Sequence, residues 1–357
     1  MAREKHLTAV HIGNFKRFVD FKVENLGQFN LVVGDNNTGK TSFLEALVVD
    51  DKGAKWISSL STCITQRQSV DVVESSFLHL EEDFQLLLND YNIRSDISLE
   101  LKTSTRSIVH SLRPFDLERD VEKLRGIARE RILLLSNPKG FTVSHNDVIE
   151  VVVGHAEVAE ATKENDFIPF IPFGLGYDQY LENYFAQNID NNISTRQKFI
   201  ERLTLFIPKI QDVRLGQKVI NIFEEGRDHP NPLYTYGEGS TKFFRILCEI
   251  AMSEGKRLMI DEIDAGIHHT KFVQFWKAIM QAATEFDVQI FATTHNEECL
   301  KYFQAALELE ELEEQCPLAR VISLKVRKEQ KIRAKVYDFA SLQIAEDLGH
   351  EIRGGGL

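Results

Sequence analysis

The run Gly34-Asp-Asn-Asn-Thr-Gly-Lys-Thr-Ser42 constrains the fold of this chain more than any other. It fits G-x-x-x-x-G-K-[ST], a loop whose backbone N–H groups cradle phosphate oxygens. Such a loop works only between a buried strand and a helix start, and both are legible. Phe29-Asn-Leu-Val-Val33 reads as a short buried strand, and Ser42-Phe-Leu-Glu-Ala-Leu47 as the opening of a helix. Gly34 and Gly39 allow the tight wrap. Asn36, Asn37 and Thr38 complete the loop, Lys40 is placed to reach β- and γ-phosphates, and Thr41, followed by Ser42, offers a hydroxyl to Mg²⁺. The expected ligand is a nucleoside triphosphate, with ATP and Mg²⁺ as the natural pair.

The chain must therefore build an α/β core, and its 357 residues are enough for one large domain or two. With 54 acidic against 42 basic residues, the formal charge of −12 argues against indiscriminate binding to nucleic acid or to an anionic membrane. Cys63, Cys248, Cys299 and Cys316 show no C-x-x-C spacing and read as reduced structural thiols. No apolar run approaches a membrane span and the first residues lack a signal-peptide core, so a cytoplasmic location is expected.

A second acidic element follows far along the chain. Arg257-Leu-Met-Ile-Asp-Glu262 is an apolar strand ending in two carboxylates. In P-loop NTPases the acid at this tip holds the Mg²⁺ shell, the role expected of Asp261. Glu262 is then placed to polarise the attacking water. Val288-Gln-Ile-Phe-Ala-Thr-Thr294 reads as another buried strand, delivering His295 to the sheet edge where ligands of open α/β sheets bind. There a histidine can hydrogen-bond the γ-phosphate. Between these strands, Phe272, Phe275, Trp276 and Ile279 form one apolar helical stripe, read as core. Adjacent His268 and His269 do not read as a metal site, because neighbouring side chains on a helix point apart.

Tyr236-Gly-Glu-Gly-Ser-Thr-Lys242 stands before a helix with Phe243, Ile246, Leu247 and Ile250 on one face. Gly237, Gly239 and Ser240 at a helix start make a second anion-binding element. Two readings stay open: a plain loop with Ser240 as N-cap, or an element that covers the γ-phosphate bound to a second copy of the chain. The second makes ATP the joint between two subunits of a homodimer.

In order, these elements resemble ATP-binding-cassette (ABC) ATPases of the RecF, SMC and OLD (overcoming-lysogenization-defect) group. Ile12-Gly-Asn-Phe-Lys-Arg-Phe18 resembles the group's N-terminal strand motif, Gly34–Ser42 its Walker A and Gly237–Lys242 its degenerate signature. Leu258–Glu262 resembles Walker B, Asp264-Ala-Gly-Ile-His268 the D-loop region, and Thr293-Thr-His295 the switch histidine. Gln179, shortly after a Pro/Gly break, is a guess at the Q-loop glutamine. The resemblance implies an ABC-ATPase head: a parallel P-loop core, an N-terminal antiparallel β-layer and a mostly helical insertion. The implied domains are 1–50 with Walker A, a variable insertion over 51–204, a lobe over 205–303 with the remaining motifs, and a C-terminal helix and basic hairpin over 304–357.

No sustained heptads suggest an SMC-type coiled-coil arm, and no Asp-x-Asp pair follows His295 as an OLD Toprim nuclease requires. The resemblance therefore implies a stand-alone, slow ATPase. It is expected to be the sensor of a bacterial anti-phage system that controls a separate effector such as a nuclease. The alternative is a RecF-like repair or replication ATPase that binds DNA when ATP-bound.

Smaller elements carry further expectations. Residues 70–91 and 116–135 read as helices, 97–112 and 148–153 as strands, and Tyr177–Asn188 as a helix. Leu307–Glu314 reads as an acidic helix and Glu351–Leu357 as a flexible tail. Over 318–336, Arg320, Lys325, Arg327, Lys328, Lys331, Arg333 and Lys335 ride on a hairpin turning near Lys328–Lys331. Its basic face is either a solvated surface or a contact for nucleic-acid phosphates or an acidic partner.

Overall fold

In the computed structural model, the described residues are 5–49, 96–114, 140–145, 148–154, 168–174, 176–327 and 331–352. The helices expected at 70–91 and 116–135, Cys63, and most of the 351–357 tail lie outside them. Strands β1 (Leu7–Phe15) and β2 (Phe18–Glu24) form a hairpin, and β3 (Phe29–Gly34) leads through the loop into α1 (Lys40–Ala46). The insertion then gives β4 (Ile97–Thr103), β5 (Ser107–Pro114), β6 (Gly140–His145) and β7 (Val148–Gly154). These extend the hairpin into an antiparallel six-stranded sheet of order β2-β1-β4-β5-β6-β7. Both expected strand segments are present, so the described part of the insertion supplies strands as well as helices.

After β8 (Phe170–Ile171) come α2 (Gln179–Phe185), which runs into a π-helical turn over Ala186–Asp190, and α3 (Ile193–Thr204). A small antiparallel sheet follows, β9 (Ile210–Gly216), β10 (Val219–Glu224) and β11 (Asn231–Pro232). The chain continues as α4 (Glu238–Met252), β12 (Arg257–Ile260), α5 (Phe272–Glu285), β13 (Gln289–Thr293) and α6 (Glu297–Leu307). It closes with β14 (Ala319–Val326), β15 (Ile332–Tyr337) and α7 (Phe339–Asp347). Among the described residues no helix is long and apolar enough to cross a membrane.

The core is a six-stranded sheet ordered β15-β14-β3-β13-β12-β8, parallel except for edge strand β15. A strand sends alternate side chains to opposite faces, so a parallel sheet covered on both sides has apolar residues at every position. Leu31, Val33, Leu258, Ile260, Ile290 and Ala292 pack with the helices on one face. Val32, Met259, Phe291, Ile322 and Leu324 pack with α1 and the β1–β2 hairpin on the other. Phe272, Phe275, Trp276 and Ile279 are all buried in the helical layer, as their spacing predicts. The antiparallel sheet is joined to this core by buried Gln289. Its Oε1 accepts from Leu7 N and its Nε2 donates to the Leu7 and Gly27 carbonyls, each at 2.8 Å.

Two local expectations are corrected. The acidic segment 307–314 is not a helix: α6 stops at Leu307, Leu309 is extended, and a 3-10 turn over Glu310–Leu312 buries Leu312 while the glutamates face water. Glutamates crowded three and four residues apart repel along a helix, whereas this break spreads them. The basic hairpin does form, but β14 lies inside the core sheet rather than on its surface. Arg320 is turned onto the Asn25, Pro317 and Ala319 carbonyls, and Lys325 donates to the Glu351 carbonyl at 3.1 Å. Among the described residues, the exposed basic ones of the hairpin are Arg333 and Lys335 on β15, with Arg327 and Lys331 at the turn.

Candidate nucleotide site

Strands β3, β13 and β12 are neighbours, so their C-terminal ends deliver the Gly34–Ser42 loop, Thr294-His295 and Asp261-Glu262 to one sheet edge. The loop is shaped from within. Thr38 is buried, its N–H and hydroxyl both donating to the Asp35 carbonyl at 3.3 and 2.8 Å. Gly39 has φ 90°, a conformation that disfavours any side chain, and its position is closed in by Phe18 and Ile332. Asn37 also adopts positive φ, and its carbonyl accepts from Arg17 of the β1–β2 turn. Asn36 and Asn37 are exposed at the loop tip, while Lys40, Thr41 and Ser42 are half-buried in the first turn of α1. Lys40 Nζ donates to the Gly34 and Asp35 carbonyls at 2.8 and 2.9 Å, which keeps the ammonium inside the loop's concavity.

Two hundred residues apart in sequence, Walker-type elements meet through one carboxylate. Asp261, 5% exposed, accepts from the Thr41 hydroxyl at 3.1 Å and from the Thr293 hydroxyl at 2.6 Å, both at Oδ1. Thr293 in turn accepts from the Glu262 N–H at 2.8 Å. The Thr41 hydroxyl and the Asp261 carboxylate are hard oxygen donors of the kind Mg²⁺ takes alongside phosphate and water, so the residues present fit that ion. Glu262 has φ 46°, a left-handed conformation uncommon for a side chain of this size, and its side chain is half-buried. His295, 52% exposed, brings Nδ1 to 3.5 Å from Glu262 Oε1.

The 237–242 segment resolves differently from the N-cap reading. Gly237, with φ 84°, caps α4 and Ser240 lies half-buried in the first turn. Gly237 is exposed, whereas Gly239 is buried against the loop after β12: a Cβ there would stand 2.2 Å from the Gly266 carbonyl. Gln179 begins α2, directly after its N-cap Asp178.

Three residues of this site carried no assigned role in sequence. Thr293 closes a strand that is apolar from Ile290 to Ala292, and its signal was its place at the head of the Thr293-Thr-His295 motif. Asp264, buried, accepts from the Thr294 hydroxyl at 2.6 Å and fixes the turn that leads to His295. Lys242 is 6% exposed and donates to the Glu262 carbonyl. Burial holds its ammonium below the ordinary lysine range, against the opposing pull of the Asp264, Asp261 and Glu262 carboxylates.

The family model described as "AAA domain, putative AbiEii toxin, Type IV TA system" matches residues 29–300. An "ATP/GTP phosphatase" of Helicobacter pylori is 20% identical over 357 aligned positions, covering 87% of this chain and 91% of that one. An uncharacterized protein of Methanocaldococcus jannaschii is 23% identical over 223 positions, covering 59% of this chain and 91% of that one. Among solved structures, an Smc head domain bound to the C-terminal domain of ScpA, from Pyrococcus furiosus, superposes with a TM-score of 0.52. That match has 9% identity and covers 96% of this chain and 99% of that one. The fold is that of an ABC-type ATPase head.

Proposed function

We propose, from the premise that the chain belongs to the AAA-domain family matched over residues 29–300, that it is a Mg²⁺-dependent ATPase working as an ATP-driven dimerisation switch. The observation that carries this reading is the Thr41–Asp261 contact, which joins the phosphate loop to the acidic strand tip beside Glu262 and His295. The Helicobacter pylori relative, named for phosphatase activity on ATP and GTP, supports the same activity here.

In this mechanism the loop amides and Lys40 hold the β- and γ-phosphates, and Thr41 and Asp261 hold the ion. Mg²⁺, when bound, supplies charge neutralisation on the phosphate oxygens. Glu262 orients and deprotonates the water; its oxygen bonds to the γ-phosphorus as the bond to the β–γ bridging oxygen breaks, leaving ADP and phosphate. His295 donates to a γ-phosphate oxygen and lies close enough to Glu262 to sense its loss. Gly237, Gly239 and Ser240 act on the partner protomer's nucleotide.

Phosphate release from ATP by the full chain is the test. Turnover is expected with Mg²⁺ and its loss with EDTA, in Lys40→Ala and in Glu262→Gln; hydrolysis that survives in both variants rejects these roles. We place the switch in an OLD-like anti-phage system, upstream of a separate effector such as a nuclease. A family description that includes a toxin supports a harmful output. A neighbouring gene for a nuclease, Toprim protein or reverse transcriptase would fit that role, whereas replication genes would point to the repair ATPase.

A further inference from the structure

Lys242 presents a problem of placement. A buried ammonium is costly unless its protons are used, and three carboxylates stand near it. Yet its hydrogen bond goes to a backbone oxygen, the carbonyl of Glu262. The backbone of Glu262 is held on both sides of its Cα. The Glu262 N–H is fixed on Thr293 Oγ1 at 2.8 Å, and the same carbonyl also accepts from the Ala265 N–H at 3.0 Å. Glu262 sits at φ 46°, a conformation that persists only where its surroundings over-determine it. Lys242 opens the second turn of α4, and the first turn puts Gly239 against the Gly266 carbonyl without room for a methyl group. The start of α4 and the loop 261–267 are thus joined at two points, one polar and one steric.

We infer that Lys242 is a positioning residue: it holds the Glu262 peptide in its left-handed conformation and mechanically ties the 237–240 turn to the water-activating carboxylate of the same chain. The inference rests on the ATPase reading above. On that reading the 237–240 turn touches the partner's γ-phosphate. Engagement of one nucleotide then sets Glu262 at the other, and the two sites of a dimer act together.

The test compares the unaltered chain with Lys242→Met, Glu262→Gln and the double variant, reading ATP affinity, KM and kcat. Lys242→Met is expected to bind ATP with unchanged affinity and KM while kcat falls about 10- to 100-fold, the scale of a misplaced catalytic group. The double variant should be no slower than Glu262→Gln, because Lys242 acts only through that residue. Wild-type kcat in Lys242→Met with only a lowered melting temperature overturns the inference. So does a double variant slower than Glu262→Gln by the full Lys242→Met factor. Should Lys242→Met not fold, Lys242→Gln carries the same comparison. An unaltered chain that hydrolyses no ATP overturns instead the ATPase reading on which the inference stands.

Discussion

At the scale of single residues, the site depends on a short chain of hydroxyls and carboxylates more than on any one group. Thr293 is fully buried, donates to Asp261 and accepts from Glu262 N–H. Thr293→Val keeps its shape and removes both bonds. It should cost about 1–3 kcal/mol, the penalty of leaving a buried polar group unsatisfied, and should depress ATP turnover beyond that loss. Thermal melts beside a phosphate-release assay check both parts; a variant with unchanged turnover would make Thr293 purely structural. Gly239→Ala tests the steric joint. With Gly266 O at 2.2 Å from the added Cβ, backbone must shift, and a loss of about 1–3 kcal/mol in a denaturant titration is expected.

At the scale of elements, the antiparallel sheet hangs on the core through few polar ties, and Gln289 is the most concentrated of them. Gln289→Leu abandons the Leu7 N–H and two carbonyls together and should destabilise the chain by about 2–5 kcal/mol. Hydrogen exchange that rises first in β1 would locate the effect. Helix α7 begins at Asp338, whose carboxylate accepts from the Ser341 N–H and hydroxyl and is thereby held below the usual range. Its contribution is present above roughly pH 4 and is lost as acid titrates the carboxyl. Asp338→Ala should cost about 1 kcal/mol at neutral pH, the ordinary value of an N-cap, and nothing in strong acid.

Elements also show what sequence could and could not reveal. Strands β3, β12 and β13 were legible because burial on both faces makes them largely apolar runs, Asn30 being the polar residue within one. For the same reason Asp261, Glu262 and His295 could be placed at one edge. Lys242 was not legible, because a lysine near a helix start reads as solvated until a loop from another strand covers it. The Arg320 and Lys325 side chains misled in the opposite sense. Periodicity reported an amphipathic hairpin, while the parallel pairing of β14 with β3 buried one of its strands.

At the scale of the whole molecule, the account is of half a site. On the proposed function, one chain supplies phosphate loop, metal donors, water-activating carboxylate and histidine; Gly237 stands exposed at the start of α4. With a formal charge of −12 and Arg320 and Lys325 engaged on backbone carbonyls, unaided DNA binding should be weak. A steep loss of DNA affinity with salt, abolished by neutralising Arg327, Arg333 and Lys335, would revive the repair reading. The central claim is that ATP joins two copies, and its most direct test is the mass of Glu262→Gln in solution. Sedimentation with ATP and Mg²⁺ should show a dimer that reverts to monomer when either is withheld. A variant that binds ATP yet sediments as a monomer at every concentration contradicts the account.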